Sequence, residues 1–143
     1  MNYWLFKSEP DVFSFDDLKK KGKSGDEWTG VRNFLARKNM KSMKKGDLGF
    51  FYHTGDERRA VGIVKVVAEA HPDSTDATRM WECVDVAAVA DLARPVTLAE
   101  IKADKRLKDM VLVRNSRLSV QPVTPKEWSI ICKLGGAPKF AEA

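Results

Sequence analysis

The chain has 143 residues and 16.1 kDa, enough for one hydrophobic core and too little for two independent ones. Apolar residues at 43% and charged residues at 31% exclude a disordered or fibrous chain, and no stretch approaches the roughly 18 apolar residues of a membrane span. The net charge is +5 and the isoelectric point about 9.2, a balance that admits a polyanion as partner.

In chain order, residues 2–7 (NYWLFK) predict a first strand, ended by Ser8-Glu9-Pro10. Ser14 is placed to cap a short helix through Lys21, with Asp17 at N3. Gly22 and Gly25 open a loop, and residues 31–43 predict a helix, with Phe34, Leu35, Met40 and Met43 near a 3.6-residue period. Strands are expected over 48–53, 60–70 and 81–89, the second closed by His71-Pro72. Thr97 to Glu100 has capping-box form and starts another short helix. Residues 110–113 and 118–121 predict two short strands. Thr124-Pro125-Lys126-Glu127 is the clearest helix start, with the helix running to Leu134 before Gly135-Gly136 and the tail after Pro138 expected to fray. This order predicts a single α+β domain: a small, mostly antiparallel barrel with short helices at its rim.

The charge is concentrated. Lys19 to Lys45 holds ten basic and two acidic residues, net +8, leaving −3 for the rest of the chain. Such a segment suits nucleic acid better than a membrane surface, because no helix pairs it with a broad apolar face. Conventional catalytic signatures are missing: there is no Walker A loop, GxGxxG, HExxH, DxDxDG or GxSxG. His53 and His71 lack an acidic partner at ligand spacing, so neither a metal nor another cofactor is expected. Cys83 and Cys132 have no CxxC spacing and read as buried thiols of a reducing compartment. Without the basic-then-apolar plan of a signal peptide, an intracellular, cytoplasmic protein is expected.

Four segments combine aromatics with polar groups: residues 4–10 (WLFKSEP), 28–33 (WTGVRN), 50–53 (FFYH) and 117–122 (RLSVQP). Aromatic faces that stack and polar groups that read an edge suit a planar heteroaromatic ligand. Taken singly, Trp4 also reads as plain core, and Tyr52-His53 as a strand end with polar tips in water. Ser119 and Gln121 alternate along one strand and share a face.

Together with FSFDDL (13–18), VGIVKVV (61–67), AHPD (70–73) and VDV (84–86), these segments resemble the EVE domain family over nearly the whole chain. The resemblance implies a PUA-like fold, related to YTH and ASCH domains. It also implies a non-catalytic reader of modified bases of the 5-methylcytosine type in DNA or RNA, taken flipped out of the strand. Carried over by position, Trp4, Lys7, Ser8, Trp28, Arg32, Asn33, Tyr52, His53, Ser119 and Gln121 would bind the base. Arg37, Lys38, Lys41 and Lys44 of the basic helix would contact the nucleic-acid backbone. Trp28 is the expected stacking platform, held on a loop and outside the core. The loop over 73–80 is short for the family, which puts any contact it makes to nucleic acid in doubt. Two alternatives stand: an amidohydrolase-like enzyme of the ASCH type using Lys7, Ser8 and Glu9, and a basic module for an acidic protein partner.

Overall fold

In the computed structural model, which describes residues 1–141, β1 (Tyr3–Ser8) runs parallel to β3 (Leu48–His53) within a six-stranded mixed sheet. The other strands are β2 (Asp26–Glu27), β4 (Arg59–Pro72), β5 (Glu82–Thr97) and β6 (Val120–Val123), in the spatial order β2-β5-β4-β3-β1-β6. All pairings except β1–β3 are antiparallel. Parallel strands need cover on both faces, which explains why every residue of β3 is buried and why it reads as an apolar run without alternation.

The strand period of two sends alternate side chains of β1 into two cores. Tyr3 and Leu5 join Phe50, Tyr52 and Trp128 on one face; Trp4 and Phe6 join Phe51, Trp28 and Met40 on the other. The first face is covered by α5 (Pro125–Leu134), which starts as its sequence predicts, with a Thr124–Glu127 capping box and Pro at the first turn. Its Trp128 stacks on Tyr3 and Phe50, ring centroids 4.6 and 4.2 Å away. The second face is covered by α1 (Phe15–Lys20) and α2 (Phe34–Ser42). Gly62 lets Phe15 lie against β4, since a Cβ there would strike the Phe15 ring. Shifts of register along β4–β5, between Ala60/Gly62, Ile63/Val64, Val66/Ala68 and Ala68/His71, bend the two long strands. α3 (Leu98–Ala103) and α4 (Val111–Arg114) complete the helices.

The expected α+β architecture is therefore present, with differences in detail. Residues 110–113, expected as a strand, form the single turn α4: a short apolar run carries no period, and Leu112 reaches the first core from a helix. α2 starts at Phe34, not at 31, because Asn33 is extended (φ −129°, ψ 130°) and caps the Ala36 amide with its side chain. β5 runs on to Thr97, well past Val89, and β2 was too short to leave a pattern. The segment expected to fray folds into a 3₁₀ turn over Pro138–Phe140, where the Phe140 carbonyl accepts the Trp128 indole N–H at 2.9 Å. Residues 142 and 143 of that tail lie outside the described residues.

Candidate functional site

A cavity of about 510 Å³ opens where β1 ends, between the loop over 28–32, the β2 edge and the turn that enters β6. Lys7, Ser8, Trp28, Arg32 and Ser119 of the sequence-derived set line it, together with Phe13, Asp26 and Glu27. Lys7 and Ser8, the last two residues of β1, both line it, and the Lys7 amide donates to the Ser119 carbonyl (2.9 Å).

Trp28 forms the inner wall. Its ring meets Phe6 and Phe51 edge-on at 5.3 and 5.4 Å and Phe13 at 6.4 Å, and it is 8% exposed. The expectation of a loop tryptophan outside the core is thus corrected: Trp28 belongs to the second core and lines the cavity as well. Its backbone amide donates to the Val84 carbonyl, stitching the loop to β5. Gly25 permits this approach with φ +67°, since a Cβ would collide with the Val86 carbonyl.

Lys7 is half-buried, and desolvation lowers its pKa below the usual lysine value; its Nζ donates to the Ser116 carbonyl at 2.7 Å. The Ser8 hydroxyl donates to the Phe13 carbonyl at 2.6 Å. Asp26 and Glu27 also line the cavity. Hydrogen bonds from Ser74 hold the Glu27 pKa below its ordinary value.

Asp73 fixes the rim. Its buried carboxylate accepts from the Gly30 amide (2.9 Å), Arg32 Nη1 (3.1 Å), the Thr75 amide (2.8 Å) and the Thr75 hydroxyl (2.6 Å). Burial alone would raise its pKa; the donors outweigh it and bring the carboxyl down to about 2. The loop over 73–80 therefore holds the cavity's edge in place through Asp73. Sequence reasoning missed Asp73 as a site residue, although Asp-Ser-Thr after Pro72 is a turn pattern in which the carboxylate folds back on its own backbone.

Five expected ligand residues lie elsewhere. Trp4 is core, as its simpler reading had it, with its indole N–H on Asp47 (3.0 Å). Asn33 is spent as the α2 cap. Tyr52 points into the opposite core, where burial pushes its phenol up to about 12. His53 accepts the Phe15 amide on Nε2 (3.1 Å) and shares Nδ1 with Glu57 (2.9 Å), which leaves the imidazole structural. Gln121 is fully buried, its Nε2 on the Leu118 carbonyl and its Oε1 unpartnered among the described residues. Ser119 and Gln121 part company because Ser119 lies in the bend before β6.

The basic segment is not one uniform surface. Lys19 pairs with Asp16 and Asp91, Lys21 with Asp26, and Lys41 with Glu82 (3.7 Å). Lys38 and Lys44 are exposed, with no carboxylate within ion-pair range among the described residues. Arg37 lies across Phe34 and Trp81, and its Nη1 donates to the Met80 carbonyl.

Three metal-capable groups also meet: the donor atoms of Glu27, His71 and Cys83 lie within 4.8 Å of one another. Sequence spacing denied His71 an acidic partner, yet the sheet register brings Asp85 to 2.7 Å from its Nε2. Burial, with neighbouring carboxylates, pushes the Cys83 thiol up to about 12, so the protonated thiol faces Glu27 at 3.6 Å. This donor set reads as a hydrogen-bonded cluster behind the cavity wall, His71 held by Asp85 and Glu27 by Ser74.

Comparison with known proteins places this geometry. The chain is 34% identical to human thymocyte nuclear protein 1 over 93% of its own length and 73% of that protein. A crystal structure of an Agrobacterium tumefaciens protein superposes with a TM-score of 0.93 at 52% identity, covering 96% of this chain and 95% of that one. Human THYN1, solved in complex with DNA containing 5-methylcytosine, superposes with a TM-score of 0.87 at 35% identity, covering 94% and 98%. A YTH domain from Zygosaccharomyces rouxii, 20% identical with a TM-score of 0.59, shares the fold. The model of the EVE domain matches residues 2–134, and the chain belongs to the EVE domain family.

Proposed function

We propose that this protein is a reader of modified bases in nucleic acid, of the 5-methylcytosine class, and that the base leaves its strand to enter the cavity beside Trp28. The observation that carries the reading is the composition of that cavity. Trp28, Phe13, Val12 and Val31 give an apolar wall for a ring and its methyl group, and Lys7, Asp26 and Glu27 add charged groups to the same lining. A cytosine edge carries an exocyclic amine beside carbonyl and ring-nitrogen acceptors, and carboxylates accept from that amine. A lining that holds both an ammonium and carboxylates carries its complement. The volume of about 510 Å³ falls in the range of small-molecule sites. The complex of human THYN1 with 5-methylcytosine DNA, at 35% identity, supports the same substrate class.

Binding without turnover is supported by the commitments of the ASCH-type set: the Ser8 hydroxyl donates to a backbone carbonyl, and so does the Lys7 ammonium. Glu9 lines the rim and is exposed. The exposed lysines of α2 and the turn after it, Lys38 and Lys44, supply phosphate contacts, with Arg37 and the ion-paired Lys41 at their side. No helix is long and apolar enough to cross a membrane, and the two free, buried thiols suit a reducing, cytoplasmic setting.

The test is a titration of one DNA sequence with and without a single 5-methylcytosine, against wild type and Lys7→Gln. Wild type should prefer the methylated strand, and Lys7→Gln should weaken binding of both strands while keeping its fold and the preference. Equal affinity of the wild type for both strands would refute the reading.

A further inference from the structure

α2 begins at the cavity rim with an aromatic that the core does not use. Phe34 is 61% exposed, yet it lies in a stacked pair with Trp81, ring centroids 5.0 Å apart and 29° between planes. Arg37, one turn along, holds its guanidinium 5.2 Å from the Phe34 centroid and 5.4 Å from that of Trp81. Arg32, a lining residue of the cavity, stands 5.7 Å from the same Trp81 ring. Leu35 and Met80, the chain neighbours of the two rings, are also exposed, at 48% and 54%. The patch therefore joins the cavity through one side chain.

Its chemistry selects among occupants. An apolar protein segment would gain nothing from two guanidinium groups over the rings, and a free anion would gain nothing from the rings. A nucleotide offers both a π face and a phosphate. Lys38 and Lys41 follow Phe34 at helical spacings of four and seven, so cations continue the same face of α2.

We propose that Phe34, Trp81 and Arg37 form a second stacking subsite, which takes the base next to the one held in the cavity, with Arg32 at the junction. This rests on the reading of the cavity as a base pocket. The subsite makes the protein sensitive to the nucleotide flanking the modified base through stacking strength, and it couples that nucleotide to the phosphate contacts of α2.

The experiment compares two probes, free 5-methyl-2′-deoxycytidine and a single-stranded DNA heptamer with one central 5-methylcytosine, on wild type, Phe34→Ala and Phe34→Tyr. Phe34 is exposed, so both variants should melt close to wild type. The expected result is a roughly 5- to 150-fold loss of heptamer affinity in Phe34→Ala, the usual effect of losing one stacked base. Phe34→Tyr should retain heptamer affinity, and nucleoside affinity should be unchanged in both. Unchanged heptamer affinity in Phe34→Ala would overturn the subsite. An equal loss for nucleoside and heptamer would overturn it too, because Phe34 would then act through the cavity. A wild type that ignores the methyl group and the nucleoside, while Phe34→Ala still weakens the heptamer, would sink the reading of the cavity and leave the stacking face standing.

Discussion

Replacing Asp73 by Asn keeps the shape of the side chain and removes one acceptor edge. The Oδ2 edge receives the Gly30 amide and Arg32 Nη1, and the Oδ1 edge receives both Thr75 donors. An amide must turn its NH₂ toward one of these pairs, so donor meets donor and the rim loop over 28–32 loses its anchor. The magnitude follows from the carboxyl's pKa, about 2 against an ordinary 3.8, on a side chain that is fully buried. At 1.36 kcal/mol per pKa unit the ionised form is favoured on folding by about 2 kcal/mol. That corresponds to a melting temperature lower by roughly 5–10 °C at pH 7. The sign is that of a depressed carboxyl: the stabilisation is complete above pH 3.8 and is lost as pH falls through about 2. The difference between wild type and Asp73→Asn should therefore be constant from pH 5 to 8 and shrink in acid. Calorimetric melts over that range, with amide exchange at Gly30 as a local probe, check it. An Asn variant that melts within about 2 °C of wild type at pH 7, with Gly30 exchange unchanged, would refute the anchoring role.

Three further outcomes are expected. Trp28→Ala should cost about 3–5 kcal/mol of folding stability as a buried core deletion, so its chemical denaturation midpoint should fall sharply. Trp28→Phe should stay folded near the wild-type midpoint and bind the methylated strand several-fold more weakly. The His71 pKa is raised above the ordinary histidine value of 6.5 by the Asp85 hydrogen bond, with Glu27 adding to it, so this contribution is complete below pH 6.5 and fades as pH rises through the higher folded value. His71→Gln should flatten the dependence of melting temperature on pH between 6 and 8, below the ordinary thiol value of 9.0 at which an unfolded Cys83 begins to contribute. Replacing Lys38 and Lys44 by Gln should lower the slope of log affinity against log salt by about 0.7–0.9 per lost phosphate contact. Adding Lys41→Gln should change it less, because Lys41 is held by Glu82. An unchanged slope would reduce these lysines to solvated surface.

What was legible in the sequence was local. The capping boxes at Ser14, Thr97 and Thr124 and the six-residue β3 follow from patterns a few residues long, and each sits where its pattern predicts. The candidate site divided differently. Lys7, Ser8, Trp28, Arg32 and Ser119 line the cavity because they lie where a strand ends or a loop turns. Tyr52 and His53 stand in a motif with equal claims, but β3 is buried on both faces, so an aromatic–polar pair there supplies core and hydrogen bonds. Gln121 failed because a strand register of two was extended into the bend at Ser119. Trp81, the His71–Asp85 pair and the reach of Asp73 to Gly30 and Arg32 were illegible for another reason. Their partners arrive through the shifted β4–β5 register or across the sheet edge, and neither leaves a trace in sequence spacing.

The same long-range contacts bear on how the cavity would act in the function proposed above. Its apolar wall is the surface of the second core, where Trp28 is fixed by three aromatic neighbours and by Val84. Its rim is fixed by a buried carboxylate with four donors. Neither has far to move when a base enters, so little of the interaction energy goes into ordering the protein. The cost that remains lies in the nucleic acid, a few kcal/mol to unstack the base. On the proposed function such a site selects by what fits beside Trp28, and the proposed flanking contacts of Phe34, Trp81 and α2 offset the unstacking. Affinity should then rise steeply from nucleoside to short oligonucleotide, while the preference for the methylated base stays the same in both.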